Sequence, residues 1–551
     1  MRSSVPVAAV AVSVAVSVLL LAGCSEGGHE GRRPVEGATK GAAGASLGDF
    51  NGDGYDDFAT AIRPTSASRG PLPARLAVVY GGARGLDPRH RLVVNGADDD
   101  YVGPLLRTDL DRDGFTDLVT ARFRHGSSPR AERTGETVVL RGGPRGLAAP
   151  RPLGGGAAGF LALAVGDFDG DGAADLLASA ADGRVDGLGD SRGEGRVDGR
   201  GDHKGGRNGD RKGDRRGEGW GAVRVLYGPF GAKVHPARTA PLPAGPTDRP
   251  HRGAPATATA GDFNGDHRTD VVLTYRYGLG QADQPELGDT APLDTPVAHY
   301  RGGPKGLVRD KRPEARLAHA LGTEDGPREP AAGDADHDGV DDLLAPGQGT
   351  LGPGRHRGSG RLTVVHGAKS GLGRGRADLT VDQSGPGMPG DDARRGDGFG
   401  GSPAVGDITG DGRPDLVVAT PEKNNGNGRL TLLPGSRHGR GGEYAPDPAK
   451  SPYREHGRGH GRGHGGEQSL DLDTPGVPGR HTPYGFDAFA PQPPLLDVDG
   501  DGHEDVVAAA PGYGRGRTGG FWIFRGTDRG LSTRDVRRFT PADLGIRFRA
   551  G

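Results

Sequence analysis

Seven times along this chain an aspartate opens a nine-residue loop with oxygen-bearing side chains at positions 1, 3, 5 and 9. The last copy reads Asp497-Val498-Asp499-Gly500-Asp501-Gly502-His503-Glu504-Asp505 and runs directly into Val506-Val507-Ala508. Carboxylates spaced this closely repel one another unless a cation lies between them. Alternating oxygen ligands with a glycine for the sharp turn are what a hard cation such as Ca²⁺ requires. The candidate ligands are Asp49, Asn51, Asp53 and Asp57; Asp109, Asp111, Asp113 and Asp117; Asp167, Asp169, Asp171 and Asp175; and Asp262, Asn264, Asp266 and Asp270. They continue with Asp334, Asp336, Asp338 and Asp342; Asp407, Thr409, Asp411 and Asp415; and Asp497, Asp499, Asp501 and Asp505. Aspartate and glycine are also good turn residues, but a turn needs one aspartate rather than several in register. Seven copies define an architecture.

Each loop is entered from small or apolar residues and left through a β-branched or aliphatic run, as in Asp270-Val271-Val272-Leu273 and Asp415-Leu416-Val417-Val418. The loop is therefore expected to be a hairpin connection between short strands. A second strand signature ends in glycine each time: Tyr80-Gly81, Arg141-Gly142, Tyr227-Gly228, Arg301-Gly302, His366-Gly367, Pro434-Gly435 and Arg525-Gly526. Most repeats then reach a Gly-Leu pair, and a weaker strand such as Arg91-Leu92-Val93-Val94 precedes the next repeat. Glycine (105) and proline (44) are abundant enough to suggest disorder, but much of the glycine sits at fixed places in the repeats. Four strands in each of seven repeats predict an all-β fold, a seven-bladed β-propeller of four-stranded antiparallel blades with a Ca²⁺-binding hairpin loop in each. An open solenoid would have shorter repeats, and ring closure removes exposed sheet edges without disulfides.

The repeats resemble FG-GAP repeats, the units of integrin α-chain propellers and related bacterial proteins. The fullest match is Phe399-Gly400-Gly401-Ser402-Pro403 to Asp407, then the loop, then Val417-Val418-Ala419-Thr420-Pro421; Ala510-Pro511-Gly512 and Ala345-Pro346-Gly347 repeat its last element. The resemblance spans residues 41–545. It implies that the metal loops lie on the face opposite the one that binds ligands, and so a structural role for up to seven Ca²⁺ ions.

The loops begin like EF-hands, but position 12 holds Thr60, Thr120, Ala178, Leu273, Ala345, Val418 or Ala508, never an acid. The ninth-position aspartate is expected to complete the shell, with the backbone carbonyl at position 7. Affinity is expected in the range of extracellular modules, about 10⁻⁴ to 10⁻³ M. His267 at the glycine position and Thr409 at position 3 mark the fourth and sixth loops as the weakest, the former because that position calls for positive φ.

The N-terminus carries an address. Arg2 precedes an apolar run from Val5 to Leu21 that ends Leu21-Ala22-Gly23-Cys24, and Cys24 is the only cysteine. An uncleaved membrane helix is the alternative, but the tetrapeptide resembles a bacterial lipobox, whose cysteine is lipidated. The expected organisation is a lipoprotein signal peptide at 1–24, a flexible tether at 25–44 and the propeller at 45–545. The product would be exported and held on the outer face of the membrane by lipid on Cys24. With no disulfides available, bound metal is the expected cross-link.

Two low-complexity insertions interrupt the repeats, at 182–219 and 436–468. The first contains Arg200-Gly201-Asp202, which a segment of those three residue types produces by chance. The second contains His456, His460 and His464, whose spacing suits a helical metal site, although their glycine neighbours oppose a helix. Formal net charge is −2, giving no pull towards nucleic acid. No Gly-x-Ser-x-Gly, His-Glu-x-x-His or phosphate-cradling motif occurs. The expected function is a non-catalytic adhesion or binding module, monomeric, for a protein or glycan. The alternative is a glycan-acting hydrolase or lyase with its site opposite the metal loops.

Overall fold

The computed structural model describes residues 48–546, apart from 125–133, 181–222, 243–252, 278–296, 323–328, 348–358, 436–466 and gaps of one to four residues elsewhere. The signal and tether, the Arg200-Gly201-Asp202 tripeptide and the three spaced histidines lie outside the described residues. Among the described residues no helix is long and apolar enough to cross a membrane.

Seven antiparallel blade sheets follow one another along the chain, each a simple meander, with a further two-stranded hairpin, Thr65–Ser66 with Gly70–Pro71, inside blade 1. Blade 1 contains Phe58–Ile62, Arg75–Val79 and Arg91–Val94. Asp57 N–H donates to the Gly48 carbonyl at 3.0 Å, where the other blades pair their innermost strand. Blade 2 runs from a two-piece inner edge, Asp99–Tyr101 and Leu106–Thr108, through Asp117–Arg124 and Thr134–Leu140 to Arg151–Pro152. Blades 3 to 7 have four strands each, from Phe160–Gly166 in blade 3 to Arg537–Phe539 in blade 7. The outer strand of blade 6 is Gln468–Leu470, so Gln468, the last residue of the stretch read as an insertion, opens a strand. Its side-chain amide clasps both backbone groups of Leu531 in blade 7 at 2.7 and 2.9 Å.

The apolar runs leaving the acidic loops are continuous because each strand is buried on both faces. Successive side chains point to opposite sides, so Leu176 packs towards blade 2 while Leu177 packs towards blade 4. The buried apolar residues accordingly divide into seven clusters, one at each blade interface. The seventh joins blade 7 to blade 1, with Phe58, Ala77 and Val79 against Val507, Phe521 and Phe539. Leu544 and Ile546 extend that seam, and Arg91 Nε donates to the Leu544 carbonyl at 2.9 Å. Closure therefore rests on side-chain packing and loop hydrogen bonds, with each described strand paired inside its own repeat.

Strand direction alternates, so every acidic loop and every third-to-fourth-strand turn lies at one end of its sheet. Second-to-third-strand turns and blade-to-blade connections lie at the other end. Among the latter is the helix Glu314–Leu321, which inserts Leu317, Ala320 and Leu321 between blades 4 and 5.

Candidate metal loops and the opposite face

The ninth-position aspartates, Asp57, Asp117, Asp175, Asp270, Asp342, Asp415 and Asp505, are all 0–1 % exposed. In every blade Oδ1 accepts the N–H of the glycine that ends the third strand: Gly81, Gly142, Gly228, Gly302, Gly367, Gly435 and Gly526, at 2.8–2.9 Å. In five blades Oδ2 accepts the N–H of position 2, from Phe50, Leu110, Phe168, Ala335 and Val498. Thr409 N–H takes that role in blade 6, and the Asn264 side-chain amide in blade 4. Each carboxylate thus pins the loop to the neighbouring strand; Asp117 Oδ2 also accepts from Arg141 at 2.7 Å, and Asp270 Oδ1 also accepts from Asn264 at 3.2 Å. The glycine is fixed by contact as well as by its N–H. A Cβ on Gly142 or Gly526 would stand 2.3 or 2.4 Å from the backbone oxygen of Thr116 or Glu504.

Position 1 folds the loop over itself. The N–H at position 6 donates to its Oδ2 in all seven copies, for example Gly54 to Asp49 at 2.8 Å and His267 to Asp262 at 2.7 Å. Position 5 accepts the N–H of position 7 in all seven, as Tyr55 to Asp53. This winding puts both position 4 and position 6 at positive φ. His267 has φ 64°, as its place at the glycine position led us to expect, and Arg112 (63°) and His337 (59°) carry the same strain at position 4. The position 4 requirement was missed, although glycine at five of seven copies signals it.

The loops also join the ring. Gly82, Gly143, Phe230, Gly303 and Ala368 each donate N–H to the position 2 carbonyl of the preceding blade, at 2.9–3.2 Å. Position 2 itself is apolar and at most 1 % exposed in every copy: Phe50, Leu110, Phe168, Phe263, Ala335, Ile408 and Val498. Each is a wedge between blades.

Position 3 shows how each loop limits its own charge. Where it is an amide, it hydrogen-bonds a neighbour, Asn51 Nδ2 to Asp53 and Asn264 Nδ2 to Asp270; in blade 6 it is the neutral Thr409, whose backbone N–H donates to Asp415. Where it is aspartate, an arginine approaches: Arg141 to Asp111 at 2.9 Å, Arg238 to Asp169 at 2.9 Å, Arg376 to Asp336, and Arg525 to Asp499. Burial still pushes the ninth-position carboxyls up, to about 7 for Asp57, Asp175 and Asp505, about 6 for Asp117 and about 8 for Asp270. In blade 5, burial opposes a charged His366 imidazole, but Asp336 and Asp342 beside it outweigh burial and raise it to about 9.

The structure brings positions 1, 3 and 5 together in the second, fifth and seventh loops, and positions 1, 3 and 9 in the third, with ligand atoms within 4.8 Å of one another. Asp111 Oδ1, Asp169 Oδ1 and Asp499 Oδ1 are buried without a hydrogen-bond partner. Orphaned buried oxygens in an all-oxygen donor set fit a hard divalent cation.

At the other end of blades 6 and 7 lies a shelf that sequence reasoning did not find. Ser402, Asn424, Asn425, Phe486, Ala488, Ala490 and Arg517 all have positive φ there. Cross-links hold it: Phe486 N–H to Asn425 O at 3.2 Å, Ala488 N–H to Gly426 O at 2.8 Å, Phe489 N–H to Asn427 O at 2.8 Å and Gly512 N–H to Asp487 O at 3.1 Å. Beneath it, fully buried Lys423 is paired with Asp397 at 2.8 Å. The Phe486 ring is 43 % exposed, with the Arg517 guanidinium 5.9 Å from its centroid.

Residues 399–433 and 489–524 match the FG-GAP repeat, and residues 109–178 match the FG-GAP-like repeat. No curated protein matches the chain. Among solved structures, the Photorhabdus luminescens Tc holotoxin pore aligns at 15% identity and a TM-score of 0.26, over 85% of this chain and 16% of that one. Xylan β-1,4-xylosidase from Bacillus halodurans C-125 aligns at 9% identity and 0.25, over 88% and 87%. At such scores neither bears on function.

Proposed function

We propose, taking the chain as a seven-bladed propeller containing FG-GAP and FG-GAP-like repeats, that it is a non-catalytic binding module with its ligand surface opposite the acidic loops. Its ligand is a protein or glycan, its loops hold Ca²⁺, and lipid on Cys24 keeps it at the outer face of the membrane. The observation that carries this reading is the strained shelf around Phe486. Non-glycine residues at positive φ cost about 1–3 kcal/mol each and persist only where the surroundings over-determine them. Here that strain presents an exposed aromatic ring rather than a core contact. A fixed aromatic face stacks on a sugar ring or a partner side chain at little entropic cost.

The calcium part rests on the chemistry of the loops. Buried ninth-position carboxyls with raised pKa are poorly solvated when charged, and a divalent cation relieves that penalty. A set of such ions, up to seven, would fix blade geometry in a chain that has no disulfide to offer.

Two measurements test the proposal. Immobilised full-length protein, probed with solubilised envelope glycans and proteins, should retain a ligand about tenfold more weakly after Phe486→Ala, roughly 1.4 kcal/mol, with unchanged melting. Equal retention by the two proteins refutes the placement of the ligand. Melting the full chain with Ca²⁺ and then with chelator should give one cooperative transition that Ca²⁺ raises. Indifference to chelation refutes the metal assignment and leaves the loops as turns.

A further inference from the structure

We propose that blade 5 contains a site for a transition-metal dication of the zinc type, formed by the His366 imidazole with the Asp336 and Asp342 carboxylates. The three residues are 4 %, 7 % and 0 % exposed. His366 Nδ1 lies 3.2 Å from Asp336 Oδ2 and 3.4 Å from Asp342 Oδ1. Nonetheless Nδ1 makes no hydrogen bond of acceptable geometry, and Asp336 Oδ1 beside it is also buried without a partner. Ligands that each stand about 2.0–2.2 Å from one tetrahedral zinc ion are separated from one another by about 3.3–3.6 Å. The two nitrogen–oxygen separations, 3.2 and 3.4 Å, lie at the lower edge of that range, and the three groups offer atoms within 4.8 Å.

The remaining groups hold the ligands in place. Asp342 receives the Gly367 N–H on Oδ1 at 2.8 Å and the Ala335 N–H on Oδ2 at 3.1 Å, which fixes its carboxylate plane. Arg376 donates to Asp336 Oδ2, the oxygen that faces Nδ1, and so orients that carboxylate. Such second contacts orient ligands and tune affinity. In the other blades the residue before the terminal glycine is Tyr80, Arg141, Tyr227, Arg301, Pro434 or Arg525. Blade 5 alone places an imidazole there, and a nitrogen ligand moves preference away from Ca²⁺ and towards zinc-like ions.

The test uses the full chain with His456, His460 and His464 replaced by alanine, which removes the other histidine-rich stretch. That protein is compared with the same chain carrying His366→Gln. After dialysis against Zn²⁺ in millimolar Ca²⁺, the first is expected to retain one Zn²⁺ per chain more than the second. Co²⁺ bound to the first should give ligand-field absorption bands that Zn²⁺ abolishes and excess Ca²⁺ leaves intact. Equal zinc content in two folded proteins overturns the proposal. Should His366→Gln fail to fold, the cobalt spectrum decides: no bands, or bands lost to Ca²⁺, overturns it equally.

Discussion

Replacing His267 and His337 together by glycine is expected to stabilise the protein. Both side chains are exposed, and both backbones sit at positive φ, 64° and 59°. A left-handed conformation costs a non-glycine residue about 1–2 kcal/mol. Glycine gives back about 0.4–1 kcal/mol through the greater freedom of the unfolded chain. The net gain is about 0.5–1 kcal/mol per site, and sites in separate blades add. With an unfolding entropy of about 2.1 cal/mol/K per residue over roughly 500 residues, the double variant should melt about 1–2 °C higher. The mirror experiment is Gly412→Ala, at φ 80° with nothing within 4 Å of an added Cβ. It introduces the same strain without a clash, so it should lower stability by about 0.5–1 kcal/mol. Calorimetry in chelator reads both, since excluding metal isolates the backbone term. A double variant that melts lower than the parent, or a Gly412→Ala protein that melts no lower, would refute the claim that φ governs these positions.

Three further outcomes follow from the same geometry. Because the carboxyls of Asp57, Asp175, Asp270 and Asp505 have folded pKa values of about 7 to 8, the folded state binds more protons than the unfolded one above the usual carboxylate range. Stability in chelator should therefore fall as pH rises from about 4 to about 8, and saturating Ca²⁺ should flatten that slope; a chelated protein that gains stability over this window contradicts the assignment. Asp175→Ala orphans the N–H groups of Phe168 and Gly228, and should cost about 2–5 kcal/mol even without metal, read as a denaturant midpoint; a loss seen only with Ca²⁺ present would make Asp175 a ligand and nothing more. Gly526→Ala drives a Cβ to within 2.4 Å of the Glu504 carbonyl oxygen and should cost about 1–3 kcal/mol, checked by melting and by limited proteolysis of blade 7.

Much of the fold was legible because its signals are local and repeated. Strand runs such as Asp415-Leu416-Val417-Val418, the glycine ending each third strand, and the loop pattern each recur in every repeat. Local backbone sterics explain the requirement at His267 from sequence alone. Other features depend on which groups meet across space. The ninth-position aspartate reads in sequence as a metal ligand, whereas its first partners are backbone N–H groups 24 residues away in blade 1 and 53 in blade 3. Nothing in the spacing announces that Arg376, lying beyond the third strand, reaches Asp336. Nor does the sequence mark Phe486, whose exposure depends on three loops meeting at the top of blades 6 and 7.

The sequence by itself determined the number of blades, the strand order within each and the place of the acidic loops, because period-two burial and turn chemistry act between residues a few positions apart. Only the tertiary structure decided how the ring closes, which arginine reaches each position 3 aspartate, and which residues the opposite face presents. Those outcomes turn on contacts between groups far apart in the chain, such as Phe58 with Phe521 or His366 with Asp336. No periodic pattern encodes such pairs; packing selects them once the sheets are in place.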